Sequence, residues 1–368
     1  MMEIFAVVPG AVVDDTGLRH VGNPLAEQRA LAEGRAVAPL GDRRVIAVPG
    51  EDRLSWLDSL ASQALTGLVP GGSTELLILD PQGHVEHAAS VIDDGETTWL
   101  IVDRADAEGL LAWLLRMRFR LRVAPRDASD EYAVIGGTRD ALTAVTAAAP
   151  VGVPLVWVDS WPDVDEGGYA YAAVDPHPGF DRDWAEAIVT RAEEARVAGA
   201  AAAGELALAG LTASDALRVA AWRPRWAAEV DGRTLPHEVD WLRSAVHLSK
   251  GCYRGQETVA KVHNLGHPPR RLVALQLDGS DSTFPESGAA VRVGEDAVGV
   301  ITSVALHYQD GPIALALVRR TTPVDAALTV DTADSPISAA QEIIVPPEAG
   351  ATASIPRMPR LSRRTTSR

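Results

Sequence analysis

Three strand-length apolar runs separated by two turn signals constrain this fold more than any other feature of the chain. Residues 75–79 are mostly apolar, Pro81-Gln-Gly-His84 is a turn signal, and 85–92 is a second run. Asp93-Asp-Gly-Glu96 turns the chain again, and 97–102 is a third run. Runs of this length bounded by Gly, Pro and Asp read as paired strands. Residues 106–119 then place Leu110, Leu111, Leu114, Leu115 and Met117 near helical spacing. Strand, strand, strand, helix describes an α+β layer. After His267-Pro-Pro the pattern changes to short alternating runs at 272–277, 290–293, 297–304 and 313–318, which read as a small β-barrel.

The flanking segments add further elements. Residues 44–48 read as a strand and 51–60 as a short helix through Leu54, Trp56, Leu57 and Leu60. Residues 132–135 resume a strand, and 139–148 and the alanine-rich 183–198 read as helices. Thr212 is placed to cap a helix over 214–221. Residues 1–24, punctuated by Gly and Pro, read as poorly ordered, and residues beyond 331 as a flexible tail. The basic end, 357–368, reads as disordered. No internal repeat occurs at solenoid spacing.

Length and charge bound the function. A chain of 368 residues buries a large core and holds two or three domains. The net charge of −16 repels phosphate backbones, which argues against extended nucleic-acid binding. The apolar stretch 141–158 is broken by Pro150 and Pro154 and reads as core, not as a membrane span. The first residues lack a cationic leader pattern, and one cysteine excludes an internal disulfide, so a reducing cytoplasm is expected.

That cysteine has unusual company. Cys252 lies in Lys250-Gly-Cys-Tyr-Arg-Gly-Gln-Glu257, and the only two lysines are Lys250 and Lys261. Lysine offers a compact ammonium, and cations near a thiol favour the thiolate, the reactive and metal-binding form. Gly251 and Gly255 permit tight turns. The alternative is a glycine turn around a buried cysteine acting as a small hydrophobe. His84 and His87 sit at odd spacing on a strand and point to opposite faces, so they make no metal pair. His247, His263 and His267 flank Cys252 without a metal-ligand spacing, and no metal is expected. There is no HExxH, Walker A or GxSxG pattern.

KGCYRGQE resembles the KGCY-x-GQE signature of the YgfZ-type folate-binding proteins, relatives of the glycine-cleavage T-protein, an aminomethyltransferase. The resemblance runs from about Leu25 to about Val330 and is clearest over 215–271. It implies a T-protein-like α+β architecture. A discontinuous folate-cradling α+β domain (25–50 plus 126–266) would be interrupted by an inserted α+β domain (51–125). A C-terminal β-barrel (267–330) and a tail (331–368) would follow.

The resemblance also implies tetrahydrofolate as cofactor and iron–sulfur client or assembly proteins as partners, with an indirect link to tRNA modification. Thr234-Leu-Pro-His-Glu238 matches a family stretch whose Glu holds the pterin, a task that suits a carboxylate with two acceptor oxygens. The cofactor set expected on this basis is Glu238, Arg218, Trp241, Tyr253, Arg254, Gln256 and Glu257, with Cys252 and Lys250 as the reactive pair. Arg218 also suits a structural salt bridge with Glu229 or Glu238, and Trp222, Trp226 and Trp241 suit either stacking or packing. Trp222-Arg-Pro-Arg-Trp226 departs from the small residue usual in the family. The family's transferase aspartate is replaced by Glu86, with His87 in place of a second acid, so the aminomethyl-transfer set is incomplete. Three functions stay open: an iron–sulfur assembly or repair factor, a folate-dependent aminomethyl or methyl transferase, and a non-catalytic folate-binding module.

Overall fold

A computed structural model describes residues 2–280 and 283–353. The N-terminal segment is ordered rather than loose. It forms a hairpin, β1 (Ala11–Asp14) and β2 (Gly17–Val21), followed by α1 (Pro24–Ala32), whose first amides are capped by Asn23. Phe5, Val8 and Leu18 are buried there, and that burial supplies the ordering that Gly and Pro content concealed.

The next strands are β3 (Ala38–Pro39) and β4 (Arg43–Pro49). They precede α2 (Arg53–Leu60), β5 (Ser73–Leu79), β6 (Val85–Asp93), β7 (Thr97–Asp103), α3 (Ala107–Met117) and β8 (Arg126–Asp127). The three expected strands and their helix are all present. They share one five-stranded antiparallel sheet in the order β5-β6-β7-β4-β8. Strand alternation gives each face its own core. Ile46, Val48, Leu76, Ile78 and Leu100 pack on Trp56 and Leu57 of α2 and Leu110 and Leu114 of α3. Val45, Ala47, Trp99 and Ile101 face the other way, against Trp157, Trp184 and Leu31. Because β4 pairs with β7 along its length, the sheet begins at Arg43, and a boundary at 51 falls after one of its strands.

A second sheet, β10-β11-β9-β3, holds β9 (Tyr132–Gly137), β10 (Val156–Val158) and β11 (Ala185–Thr190). Two helical expectations fail here. Residues 139–148 give only a short 3-10 turn, Ala141–Ala144, because Thr143, Val145 and Thr146 disfavour helix and the Ala148 amide bonds to Ile188 at 2.7 Å. In 183–198 the first part is strand: Ala185, Ala187 and Val189 pack on one face and Ile188 on the other. The helix α4 (Arg191–Ala202) starts only at the Thr190 cap.

Helix α5 (Leu211–Ala220) is capped by Gly210, and Thr212 lies inside it. A side chain at 210 would meet the Arg19 carbonyl oxygen at 2.1 Å, so only glycine fits. Short α6 (Trp226–Glu229) and then α7 (Gln256–Leu265) lead to the last unit.

That unit is a closed six-strand barrel in the order β12-β15-β14-β13-β16-β17. Its strands are β12 (Arg270–Leu277), β13 (Ala290–Val293), β14 (Asp296–His307), β15 (Gly311–Arg319), β16 (Leu328–Val330) and β17 (Ile337–Ile343). Val273, Leu275, Ala314 and Ala316 fill its interior, and Leu272, Leu315 and Leu317 face the central core. A tail from 331 therefore removes a barrel strand: β17 pairs with both β12 and β16 and closes the structure. Residues 354–368, including the basic end, lie outside the described residues.

Candidate functional site

The sheet of β4–β8, the edge of the β9–β11 sheet and the Arg218–Trp226 segment meet around a small polar chamber. Its cavity volume is about 60 Å³, and its walls include Glu75, Asp103, Trp157, Asp159, Arg182, Trp184, Glu186, Arg223, Arg225, Trp226 and Trp241. That volume holds roughly four to six waters at about 10–15 Å³ each.

Charge pairs build the walls. Arg225 Nε and Nη2 donate to Asp103 at 2.7 and 2.6 Å, Arg43 pairs with the same carboxylate, and Arg225 Nη1 reaches Asp42 at 2.7 Å. Arg223 Nη2 donates to Glu75 at 2.7 Å and its Nε to Asp159 at 3.2 Å, while Arg182 Nη1 donates to Asp159 at 2.7 Å. Ser244 donates to the other Glu75 oxygen at 2.8 Å. Burial opposes the charge on Asp103, but Arg43 and Arg225 outweigh it and hold the carboxyl below its ordinary value. Burial brings the Arg182 guanidinium down to about 10 despite Asp159. Aromatic faces complete the lining: Arg182 lies 4.4 Å over Trp184, and Arg223 lies 5.9 Å from the ring centre of Trp157.

Four buried polar atoms in this wall have no partner among the described residues: Glu186 Oε2, Arg182 Nε, Arg223 Nη1 and Trp241 Nε1. Native interiors rarely leave such groups unsatisfied, and each such group costs about 1–3 kcal/mol. One acceptor and three donors therefore stand ready for a polar guest between tryptophan faces. Of the chamber's residues, Arg218, Trp226 and Trp241 are expected from the sequence and the others are not. The available signal is Arg223-Pro-Arg225, which stands out in the sequence only as a departure from the family pattern.

The other expected residues lie elsewhere. Arg218 lines the chamber but every one of its nitrogens is engaged, donating to Asp215 at 2.6 Å, Glu229 at 3.1 Å, the Arg223 carbonyl at 2.8 Å and Ser303 at 2.6 Å. Glu238 does not line the chamber. It is 0% exposed, and it accepts from Leu235 N–H at 3.2 Å and from Arg270 through N–H (3.0 Å), Nε (3.2 Å) and Nη2 (2.8 Å). Its carboxylate ties the loop before the barrel to β12, which corrects the expectation of a free pterin acceptor.

The Lys250–Glu257 loop docks on the five-stranded sheet and its helices. Lys250, with a side chain 3% exposed, donates through Nζ to the carbonyls of Asp58, Ala61 (2.9 Å) and Gln63 (2.8 Å) at the end of α2. A lysine so engaged is an anchor and not the expected reactive partner of the thiol. Arg254 pairs with Glu86 of β6 at 2.7 Å, so the carboxylate at the transferase position is also committed. Gly255, at φ +83°, lets the loop press on the Asp80 turn, where a Cβ would stand 2.6 Å from the Asp80 carbonyl oxygen. Tyr253 is buried in the central core, Gln256 reaches back to the Lys250 carbonyl at 3.4 Å, and Glu257 is exposed. Cys252 is exposed, which removes the buried-hydrophobe alternative, and it does not line the chamber. Trp226 links the two regions: it lines the chamber and donates from its indole to the Glu86 carbonyl at 2.9 Å.

The histidines are placed separately. His84 pairs with Asp80 at 2.8 Å, His87 with Asp106, and His267 with the Ala349 carbonyl at 2.8 Å. Among the described residues no three His, Cys, Asp or Glu side chains form a metal-binding group.

This arrangement of lobes has known counterparts. Residues 270–346 match the CAF17 C-terminal beta-barrel domain. The aminomethyltransferase of Nostoc sp. is 25% identical over 79% of this chain and 79% of its own, and that of Rippkaea orientalis is 28% identical over 74% and 75%. An iron–sulfur cluster assembly factor IBA57 homolog, mitochondrial, from Mycosarcoma maydis is 24% identical over 66% of this chain and 57% of that protein. The crystal structure of the glycine cleavage system aminomethyltransferase T from Bartonella henselae superposes with a TM-score of 0.69 at 17% identity, covering 93% of this chain and 95% of that one. The fold is thus that of the T-protein. The barrel matches the CAF17 type, and the chain as a whole is similar to aminomethyltransferases and, over two thirds of its length, to an iron–sulfur cluster assembly factor. Among the described residues no helix is long and apolar enough to cross a membrane.

Proposed function

We propose that this protein is a cytoplasmic tetrahydrofolate-binding factor that supports iron–sulfur cluster assembly or repair. The observation that carries the folate assignment is the chamber's set of unpartnered buried atoms. A pterin presents an amino group and a ring N–H that a carboxylate accepts, and a carbonyl that a guanidinium satisfies. Glu186 Oε2 would take the first role and Arg223 Nη1 the second, beside Trp157 and Trp184. Room for the rest of the molecule lies next to the chamber, in a cleft of about 730 Å³ that shares Asp103, Arg218 and Arg225 with it. The likeness to an iron–sulfur assembly factor and the CAF17-type barrel support the cluster role, with Cys252 as the exposed contact for a client protein.

Calorimetric titration with 5-formyltetrahydrofolate tests the site. Glu186→Gln removes a charged acceptor worth about 1.5–3 kcal/mol, so affinity should fall roughly tenfold or more. Glu238→Gln should leave the affinity of the folded protein unchanged. Equal binding by wild type and Glu186→Gln would remove the chamber as the site. For the cluster role, Cys252→Ser in a deletion strain should fold normally and fail to restore iron–sulfur enzyme activity, and full complementation counts against it. The five aminomethyltransferase likenesses favour a transferase as the second reading. Turnover in a reconstituted glycine-cleavage assay decides for it.

A further inference from the structure

We propose that a second cavity, at the N-terminal hairpin, the β3–β4 turn and the start of α4, binds a small oxyanion: the phosphate or carboxylate group of a ligand with an apolar body. The cavity measures about 370 Å³. Arg44, Arg104 and Arg191 all line it. In a chain with 50 acidic residues against 34 basic ones, a guanidinium without a carboxylate partner is unexpected. Yet no hydrogen bond or ion pair engages the half-buried Arg44 side chain among the described residues.

Arg191 is incompletely satisfied as well. Its Nη1 donates to Glu194 at 2.6 Å and its Nη2 to the Ser129 carbonyl, but its Nε is buried with no partner among the described residues. Arg104 is held at the edge by Nη1 donating to the Asp15 carbonyl at 2.6 Å. Three carboxylates share the lining. Glu194 is committed to Arg191, Asp127 accepts the Ser129 amide at 2.8 Å, and Asp130 lies near Arg44 without bonding it. Their pull does not prevail. Burial and then the neighbouring Arg104 and Arg191 push the Arg44 guanidinium below its ordinary value against Asp127 and Asp130.

A guanidinium with no hydrogen-bonded partner among the described residues, beside two others, is what an oxyanion satisfies. Planar N–H forks match phosphate and carboxylate geometry, and such charge-assisted bonds are the strong ones. Arg44 and Arg191 Nε would donate to it. Phe5, Leu18 and Leu40 form an apolar wall of the same cavity, which suits a ligand with a hydrocarbon or aromatic body. The cavity shares Arg43 with the chamber and Arg104 with the adjoining cleft, but Arg44 and Arg191 line neither, so the proposal does not rest on the folate reading.

Thermal unfolding with added inorganic phosphate or succinate, against chloride at matched ionic strength, tests the proposal. One of the two anions should raise the midpoint saturably, phosphate marking a phosphorylated ligand and succinate a carboxylate. Arg44→Gln, which relieves like-charge crowding and should fold, should weaken the apparent affinity roughly tenfold or more, and Arg44→Lys should keep part of it. An unchanged response in Arg44→Gln, or a wild-type response to both anions no larger than to chloride, overturns the assignment.

Discussion

Removing Arg270 should damage this protein more than removing its partner Glu238. The two residues differ in what each leaves behind. Glu238 is 0% exposed, and Arg270 supplies three of its four donors. Arg270→Met keeps the backbone donor and strands the carboxylate in the interior, and breaking a buried pair in that way costs about 3–5 kcal/mol. Glu238→Gln leaves Arg270 with Asp231, which accepts from Nη1 at 2.6 Å and Nη2 at 3.1 Å, and a side chain 20% exposed. Its cost should be about 1–3 kcal/mol.

Urea unfolding of wild type, both single variants and the double variant measures these terms and their coupling. Equal losses for the two single variants would refute the bracing role.

Two further outcomes follow from buried polar groups. Lys250→Met removes the donor to three carbonyls at the end of α2 and should cost about 1–3 kcal/mol in urea unfolding, with little rescue by arginine because the socket suits a compact ammonium; an unchanged midpoint contradicts this. Asp165 is raised by burial from 3.8 to about 6, so its contribution to stability is full below about 3.8 and is lost as pH rises through about 6; Asp165→Asn should flatten that part of the stability–pH curve, and a variant curve parallel to wild type contradicts it.

Local pattern carried the fold where burial follows period. The strand-turn-strand-turn-strand block stood out because Leu76, Ile78, Val91 and Leu100 alternate with residues packed on the opposite face. The pattern failed where a strand is rich in alanine. In β11, Ala185 and Ala187 read as helix because alanine has the highest helix propensity, and the sheet overrode it through pairing with β9 and β10. It failed again at β17, where Ser338, Ala340 and Glu342 face out between small or polar neighbours and the strand exists to close the barrel. The chamber was illegible for a different reason. Glu75, Asp103, Asp159, Glu186 and Arg223 are scattered over 149 positions and converge only through tertiary packing, so no window of sequence contains them.

The signature segment, in contrast, was found at once and its residues divide by task in a way that spacing alone does not reveal. Lys250 holds α2, Arg254 holds β6, Gly255 admits the Asp80 turn, and Tyr253 enters the core. Every one of these contacts fixes the loop to the rest of the fold, while Gly251, Cys252 and Glu257 stay exposed, and of these three the thiol is the nucleophile. A cysteine kept for packing needs burial, and this one has none. A loop rigidly tied on both sides of an exposed side chain positions that side chain at little entropic cost when a partner arrives. The anchors therefore explain the lysine, tyrosine, arginine and second glycine of KGCYRGQE by structure. They give no packing role to Cys252, and under the proposed function its identity follows from contact with a client protein.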